Sequence, residues 1–243
     1  MLIKKFRIED KHCDKKGELK LSALQLFMQE CAGEDFDSYG TTGDEMRKNG
    51  MAFVLTRVTF DIFKKMSKGD LLEILTVHDH IEGISLIREF VITSDKGYCC
   101  RATTVWIVLN LNTRRIMRPT ALEHYPPTLN LFTQQVESEK RIFAKDETAE
   151  FVCEIDIKNS HIDENGHVNN TFYQDFAAKA IDGRYSDKFL KHIQISYVHE
   201  AFEGEKLKIY GVFDDNIARV RAMNGEKCCF EALMKFEEQN DEQ

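Results

Sequence analysis

The sequence predicts an α+β protein built from a duplicated unit, and three features carry that reading. An apolar run at helical spacing is followed, twice and in the same order, by strand-like segments and glycine-marked turns. Within those segments apolar and polar residues alternate over short stretches, as in a sheet with one face packed and one wet. The three prolines, at 119, 126 and 127, all fall between the two copies.

The first copy opens with Leu21, Leu24, Phe27, Met28 and Cys31, which share one helix face. Strands follow over 51–55 and 56–63, and Lys68-Gly69-Asp70 turns the chain into an alternating strand over 71–77. Gly97 opens another, which runs into Val105-Trp106-Ile107-Val108-Leu109. That stretch is apolar throughout, the pattern of a central strand covered on both sides. Proline donates no ladder hydrogen bond, so the cluster at 119–127 ends the first domain, expected at residues 1–132. A charged tract over 133–149 is the linker, and the second domain spans 150–243. It repeats the plan. After a strand over 151–157 comes a helix over 171–182, with Phe172, Phe176, Ala177, Ala180 and Ile181 on one face and Gly183 as its stop. Strands over 192–202, 207–212 and 227–236 follow, divided by turns at Gly204 and Gly225. One helix wrapped by an antiparallel sheet, twice in one chain, is a double hotdog.

At 243 residues and 42% hydrophobic, the chain has enough apolar mass for two cores. A net charge of −8 argues against nucleic-acid binding, which needs a basic surface. Seven cysteines show no metal-ligand spacing and fit a reducing compartment, and the vicinal pairs at 99–100 and 228–229 read as small buried hydrophobes. The charged N-terminus lacks an apolar signal core and no long apolar run occurs, so the expectation is a cytoplasmic protein without a membrane segment. His78 and His80 stand two apart with no further ligand cluster, which reads as a solvent-facing strand rather than a metal site.

The segment richest in chemistry is Asp163-Glu164-Asn165-Gly166-His167-Val168-Asn169-Asn170. In an extended backbone Asp163, Asn165 and His167 share one face. They stand just ahead of a helix, whose first-turn N–H groups favour developing negative charge, and Asn169 or Asn170 is placed to cap it. The plainer reading of Asp-x-Asn-Gly is a turn, and a single histidine is often structural. On residues 193–202 alternation puts His199 and Glu200 on opposite faces, without deciding which is inward.

The tracts Phe53-Val54-Leu55-Thr56-Arg57, residues 106–115, Arg118-Pro119 and 163–170, in that order, resemble the acyl-acyl-carrier-protein thioesterases of bacteria and plant plastids. The resemblance covers most of the chain. It implies hydrolysis of the thioester between a fatty acyl chain and the phosphopantetheine arm of an acyl carrier protein, without metal or cofactor, by a monomer or homodimer. It implies Asp163, Asn165, His167 and Glu200 as the catalytic set. Where many plant members carry cysteine after that glutamate, this chain has Ala201, so no cysteine acts there. Val168 and Asn169 are expected at the thioester. Leu24, Phe27, Met28 and Phe53 are expected to line the acyl pocket, where each buried methylene contributes about 0.8 kcal/mol. The first half shows no counterpart of the 163–167 tract ahead of its helix. Two cation clusters, Arg114/Arg115/Arg118 and Lys179/Arg184/Lys188/Lys191, are candidates to receive an acidic carrier. A coenzyme A thioesterase and a non-catalytic acyl-binding module remain as alternatives.

Overall fold

In the computed structural model, which describes residues 1–40, 42–122, 127–132, 136–144 and 147–239, one antiparallel sheet of 11 strands runs through both halves of the chain. The first half supplies β1 (Leu2–Arg7), β2 (Met51–Ile62), β3 (Leu71–Glu82), β4 (Ser85–Ser94), β5 (Gly97–Asn110) and the short β6 (Arg115–Met117), which pairs with β5. The second supplies β7 (Glu150–Asp156), β8 (Lys188–Tyr197), β9 (Lys206–Phe213), β10 (Ile217–Asn224) and β11 (Lys227–Glu238). The order β1-β3-β4-β5-β2-β8-β11-β10-β9-β7 is the same pattern read from either edge. The halves join where β2 meets β8, registered from Arg57↔Ser196 to Asp61↔His192. The architecture is a double hotdog.

Helices α1 (Leu21–Asp37) and α3 (Phe172–Ala180) lie against each other on the inner face of this sheet. Leu24, Phe27 and Met28 point into the main core among Phe60, Ile74 and Phe90, with Phe27 stacked on Phe6. Between the helices runs a buried polar seam: the Gln174 amide donates to Gln25 Oε1 at 2.9 Å, Gln25 donates to the Tyr197 hydroxyl at 3.0 Å, and that hydroxyl donates to the Asn170 carbonyl at 3.2 Å. A buried amide left unpaired is costly, so this seam fixes how the two helices pack. A short helix, α2 (Gly43–Lys48), is held by a capping box in which Thr42 and Glu45 satisfy each other's backbone. Its Met46 is buried with Leu86, Val108 and Leu122.

The described stretches of the chain between the halves, 127–132 and 136–144, lie on the outer face of the sheet. Thr103 and Gln194 alternate with core residues and therefore face outward. The Val136 N–H donates to Thr103 Oγ1 at 3.4 Å, and Glu139 exchanges two hydrogen bonds with the Gln194 amide. Upstream, buried Asp79 accepts the N–H groups of Leu131 and Phe132; downstream, Ile142 and Phe143 pack on Leu233. Pro126 lies outside the described residues, as do 133–135 and 145–146 of the expected linker.

Several sequence expectations change. His78 is buried rather than solvent-facing, because it flanks a bulge in β3. Burial, reinforced by Arg88, pushes it down to about 4. Val105–Leu109 is not covered on both sides throughout: Val108 is fully buried, while Trp106 and Leu109 border a cavity. Among the described residues no helix is long and apolar enough to cross a membrane.

Candidate active site

The 163–167 tract forms a tight turn, not an extended stretch. The Gly166 N–H donates to the Asp163 carbonyl at 3.0 Å, the Asp163 N–H donates to the His167 carbonyl at 2.9 Å, and Gly166 sits at φ +83°. At that dihedral a β-carbon is strained, which is why glycine belongs there. The turn brings together the side chains that alternation was expected to align. Asp163 Oδ1 accepts the Asn165 N–H at 2.8 Å and its other oxygen accepts from the Asn165 amide at 3.3 Å. Nδ1 of His167 lies 3.5 Å from Asp163 Oδ2, and its Nε2 lies 3.8 Å from Glu200 Oε1.

Glu200 reaches this position from the loop after β8, which ends at Tyr197, so strand alternation does not govern it. The Val168 N–H donates to the Ala201 carbonyl at 2.8 Å and ties the turn to this loop. His199, the rival on parity, also borders the cavity, but its Nδ1 is 2.8 Å from the Cys228 carbonyl.

The start of α3 is organised by Asn169, whose Oδ1 accepts both the N–H and the hydroxyl of Thr171 at 3.0 Å. The amides of Val168, Asn169, Thr171 and Phe172 are thereby occupied within the protein. Those of Asn170 and Tyr173 meet no acceptor among the described residues, and both residues border the cavity. Burial pushes the Tyr173 and Tyr197 phenols up, so both stay protonated.

Asp163, Asn165, His167, Val168, Asn169 and Glu200 all line one cavity of about 910 Å³. Its other wall comes from the first half, through Met46 and Arg47 of α2, Phe53 and Leu55 of β2, and Trp106 and Leu109 of β5. Leu24, Phe27 and Met28 do not reach it, because α1 turns that face to the core and leaves only Gln29 at the cavity. Arg47 bridges the halves, 3.4 Å from Glu164. Met46, Arg47 and Tyr173 were not among the sequence candidates. The capping-box pattern Thr42-x-x-Glu45 was a readable sign of α2, but nothing local showed that the helix would fold over a cavity.

Of the two cation clusters only the first touches this site, through Arg114. In the second, Arg184 pairs with Glu150, Lys188 with Glu238 and Lys191 with Glu237.

Family models for the N-terminal and C-terminal domains of acyl-ACP thioesterases match residues 2–121 and 144–241. The chain belongs to the acyl-ACP thioesterase family. A chloroplastic palmitoyl-acyl carrier protein thioesterase of Gossypium hirsutum is 30% identical over 166 residues, 63% of this chain and 40% of that protein. The chloroplastic oleoyl-acyl carrier protein thioesterase 2 of Arabidopsis thaliana is 28% identical over 180 residues, 69% of this chain and 49% of its own. The chain thus spans less than half the length of these curated relatives. In fold, this acyl-ACP thioesterase family member superposes on an acyl-ACP thioesterase of Bacteroides thetaiotaomicron with a TM-score of 0.82 at 21% identity, covering 97% of each chain. On the 12:0-ACP thioesterase of Umbellularia californica the TM-score is 0.83 at 17% identity, covering 98% of this chain and 97% of the other.

Proposed function

We propose that the chain hydrolyses fatty acyl thioesters of acyl carrier protein, releasing the free acid. The observation that carries this reading is the placement of His167 between the carboxylates of Asp163 and Glu200 on the wall of a cavity whose opposite wall is largely apolar, through Met46, Phe53, Leu55, Trp106 and Leu109. The first half, residues 1–132, holds the acyl chain; the second, 150–243, carries the chemistry; 133–149 link them.

In the proposed reaction Glu200 takes a proton from water as its oxygen attacks the thioester carbon. Nδ1 of His167 faces two acceptors, Asp163 and the Val168 carbonyl, so the neutral ring carries its proton there. Nε2 is then free to receive the proton from Glu200 and pass it to the leaving sulfur as the C–S bond breaks. The products are a carboxylic acid and a thiol, and the site returns to its starting protonation. The unoccupied N–H groups of Asn170 and Tyr173, at the positive end of α3, are the donors for the oxyanion. Asp163 and Asn165 hold the ring in place. The seven cysteines are free, which suits a reducing compartment, and a cytoplasmic monomer or homodimer belongs to the same proposal.

The test is thiol release from palmitoyl, lauroyl and octanoyl thioesters, each on carrier protein and on coenzyme A, by wild type, Glu200→Ala and His167→Ala. Turnover on the carrier that is lost in both folded variants supports the reading. Faster turnover on coenzyme A replaces the substrate class, and acyl binding without turnover removes the mechanism.

A further inference from the structure

On a protein of net charge −8, a set of arginines without carboxylate partners among the described residues stands out. Arg114, Arg115 and Arg118 are exposed and make no ion pair with a described residue, whereas Arg184, Lys188 and Lys191 are each neutralised. Arg114 borders the cavity. All three lie on or just after the hairpin from β5 to β6, and two exposed apolar side chains, Leu111 and Ile116, are interleaved with them. Arginine mixed with exposed aliphatic side chains is the composition of a protein interface.

The hairpin is also preorganised. Asn110 Oδ1 accepts the N–H groups of Asn112 and Thr113 at 3.0 and 2.9 Å, and the Asn110 carbonyl accepts that of Arg114 at 2.8 Å. The Leu111 N–H donates to the Gly50 carbonyl at 2.8 Å. Gly50 follows α2 closely, and a β-carbon there would lie 2.9 Å from the Asn112 amide nitrogen. The tip is therefore pinned beside the helix that walls the cavity. Such a site loses little conformational entropy when a partner binds.

We propose that this hairpin is the docking surface for the acyl carrier protein. Arg114 at the cavity mouth meets the phosphodiester that joins the pantetheine arm to its carrier, and Arg115 and Arg118 meet acidic side chains beside that attachment. This rests on the functional reading above. A thioester presented through the cavity carries its phosphate outside it, so an unpaired cation at the rim has a definite anion to receive. The remainder of the acidic surface repels the carrier from other approaches.

The experiment compares the full chain with Arg115→Glu/Arg118→Glu, and separately with Arg114→Gln. The substrates are one acyl group on carrier protein, on coenzyme A and on pantetheine, which has no phosphate. The expected result for the double variant is a KM for the carrier substrate raised roughly tenfold or more at low ionic strength, converging with wild type as salt screens the surface. Its kcat on the carrier and its kcat/KM on the pantetheine thioester stay at the wild-type value. Arg114→Gln raises the carrier KM as well. An unchanged carrier KM in both variants overturns the proposal. So does an equal loss on the pantetheine thioester, which puts the arginines inside the acyl site, or an equal loss on coenzyme A by the double variant, which assigns Arg115 and Arg118 to nucleotide phosphates. Wild-type turnover of the pantetheine thioester without turnover of the carrier thioester overturns the functional reading itself, and that failure is visible before any variant is made.

Discussion

Asp14 and Asp163 begin the same turn in the two halves. In the first, the Asp14 N–H donates to the Glu18 carbonyl at 2.8 Å, Gly17 N–H to Asp14 at 3.1 Å, and Leu19 N–H to Met66 at 2.8 Å. In the second the matching bonds join Asp163 to His167 at 2.9 Å, Gly166 to Asp163 at 3.0 Å, and Val168 to Ala201 at 2.8 Å. Each turn follows a short 3₁₀ segment, Asp10–His12 or Asn159–His161, and precedes a helix of the shared pair. The side chains differ. Where the second half has His167 and Glu200, the first has Glu18 and Lys65, joined as an ion pair at 3.0 Å. The cavity reaches the second turn and not the first. The backbone of this turn is thus part of the fold, and the proposed chemistry is a separate layer set by three or four side chains and by access to a cavity.

The largest test of this contrast is kinetic. Glu200→Gln and His167→Ala should each lower kcat by roughly a thousandfold, within the range for a lost acid–base group, while Glu18→Gln and Lys65→Ala leave kcat within twofold. Rebuilding the pair as Glu18→His/Lys65→Glu in the Glu200→Gln background should restore nothing, since no cavity serves that turn; measurable recovery would break the comparison.

Acid should distinguish the halves next. His78 on β3 corresponds to Phe213 on β9, so only the first half buries a group that titrates there. Its folded pKa of about 4 lies below the unfolded value of about 6.5. The neutral ring contributes its full stability above pH 6.5, and this is lost as pH falls from 6.5 towards 4. The loss amounts to about 3 kcal/mol. His78→Gln should flatten urea-derived stability across that window.

A smaller effect separates the two glycines. Gly17→Ala and Gly166→Ala each place a β-carbon at positive φ, +78° and +83°, with nothing within 4 Å to strike. Both should cost about 1 kcal/mol in thermal unfolding, yet only Gly166→Ala should also reduce kcat, because it moves His167 against Asp163. Least of all, a double-mutant cycle on the half-buried pair Glu18 and Lys65 should give a coupling of about 1 kcal/mol or less, near the value for pairs that solvent reaches.

How far the sequence discloses this contrast depends on the range of the interaction. Helical spacing and alternation place α1, α3 and most strands, because those periods are local. β1, β4 and β10 escape notice: their alternation is interrupted or brief, and pairing partners define them more than composition does. The Asp163–His167 tract is recognisable by residue type, while its geometry is not, since Asp-x-Asn-Gly takes the turn for which Asn and Gly are suited rather than extending. The counterpart at 14–18 is hidden because it keeps only the aspartate and glycine of the turn, with Asp14 Oδ1 accepting the N–H groups of Lys16 and Glu18 at 2.8 and 3.0 Å, while Lys16 and Glu18 replace the asparagine and histidine. Leu24, Phe27 and Met28 show the remaining limit. An apolar helix face serves core and pocket equally well in sequence, and only tertiary packing sends it to the core. The vicinal cysteines illustrate the same point: backbone bonds align Cys99 with Cys229, so the two pairs are one position out of step.

The connection whose described stretches, 127–132 and 136–144, lie on the outer face makes pairing of β2 with β8 a unimolecular event. The cavity takes its apolar wall from one half and its reactive groups from the other, so neither half holds a site alone. Cleaving this connection would turn the proposed activity into a property of two fragments, one that falls on dilution once their concentration drops below their dissociation constant. Uncut, the tether holds each half at an effective concentration of order millimolar near the other, and the two walls of the cavity remain assembled however scarce the protein becomes.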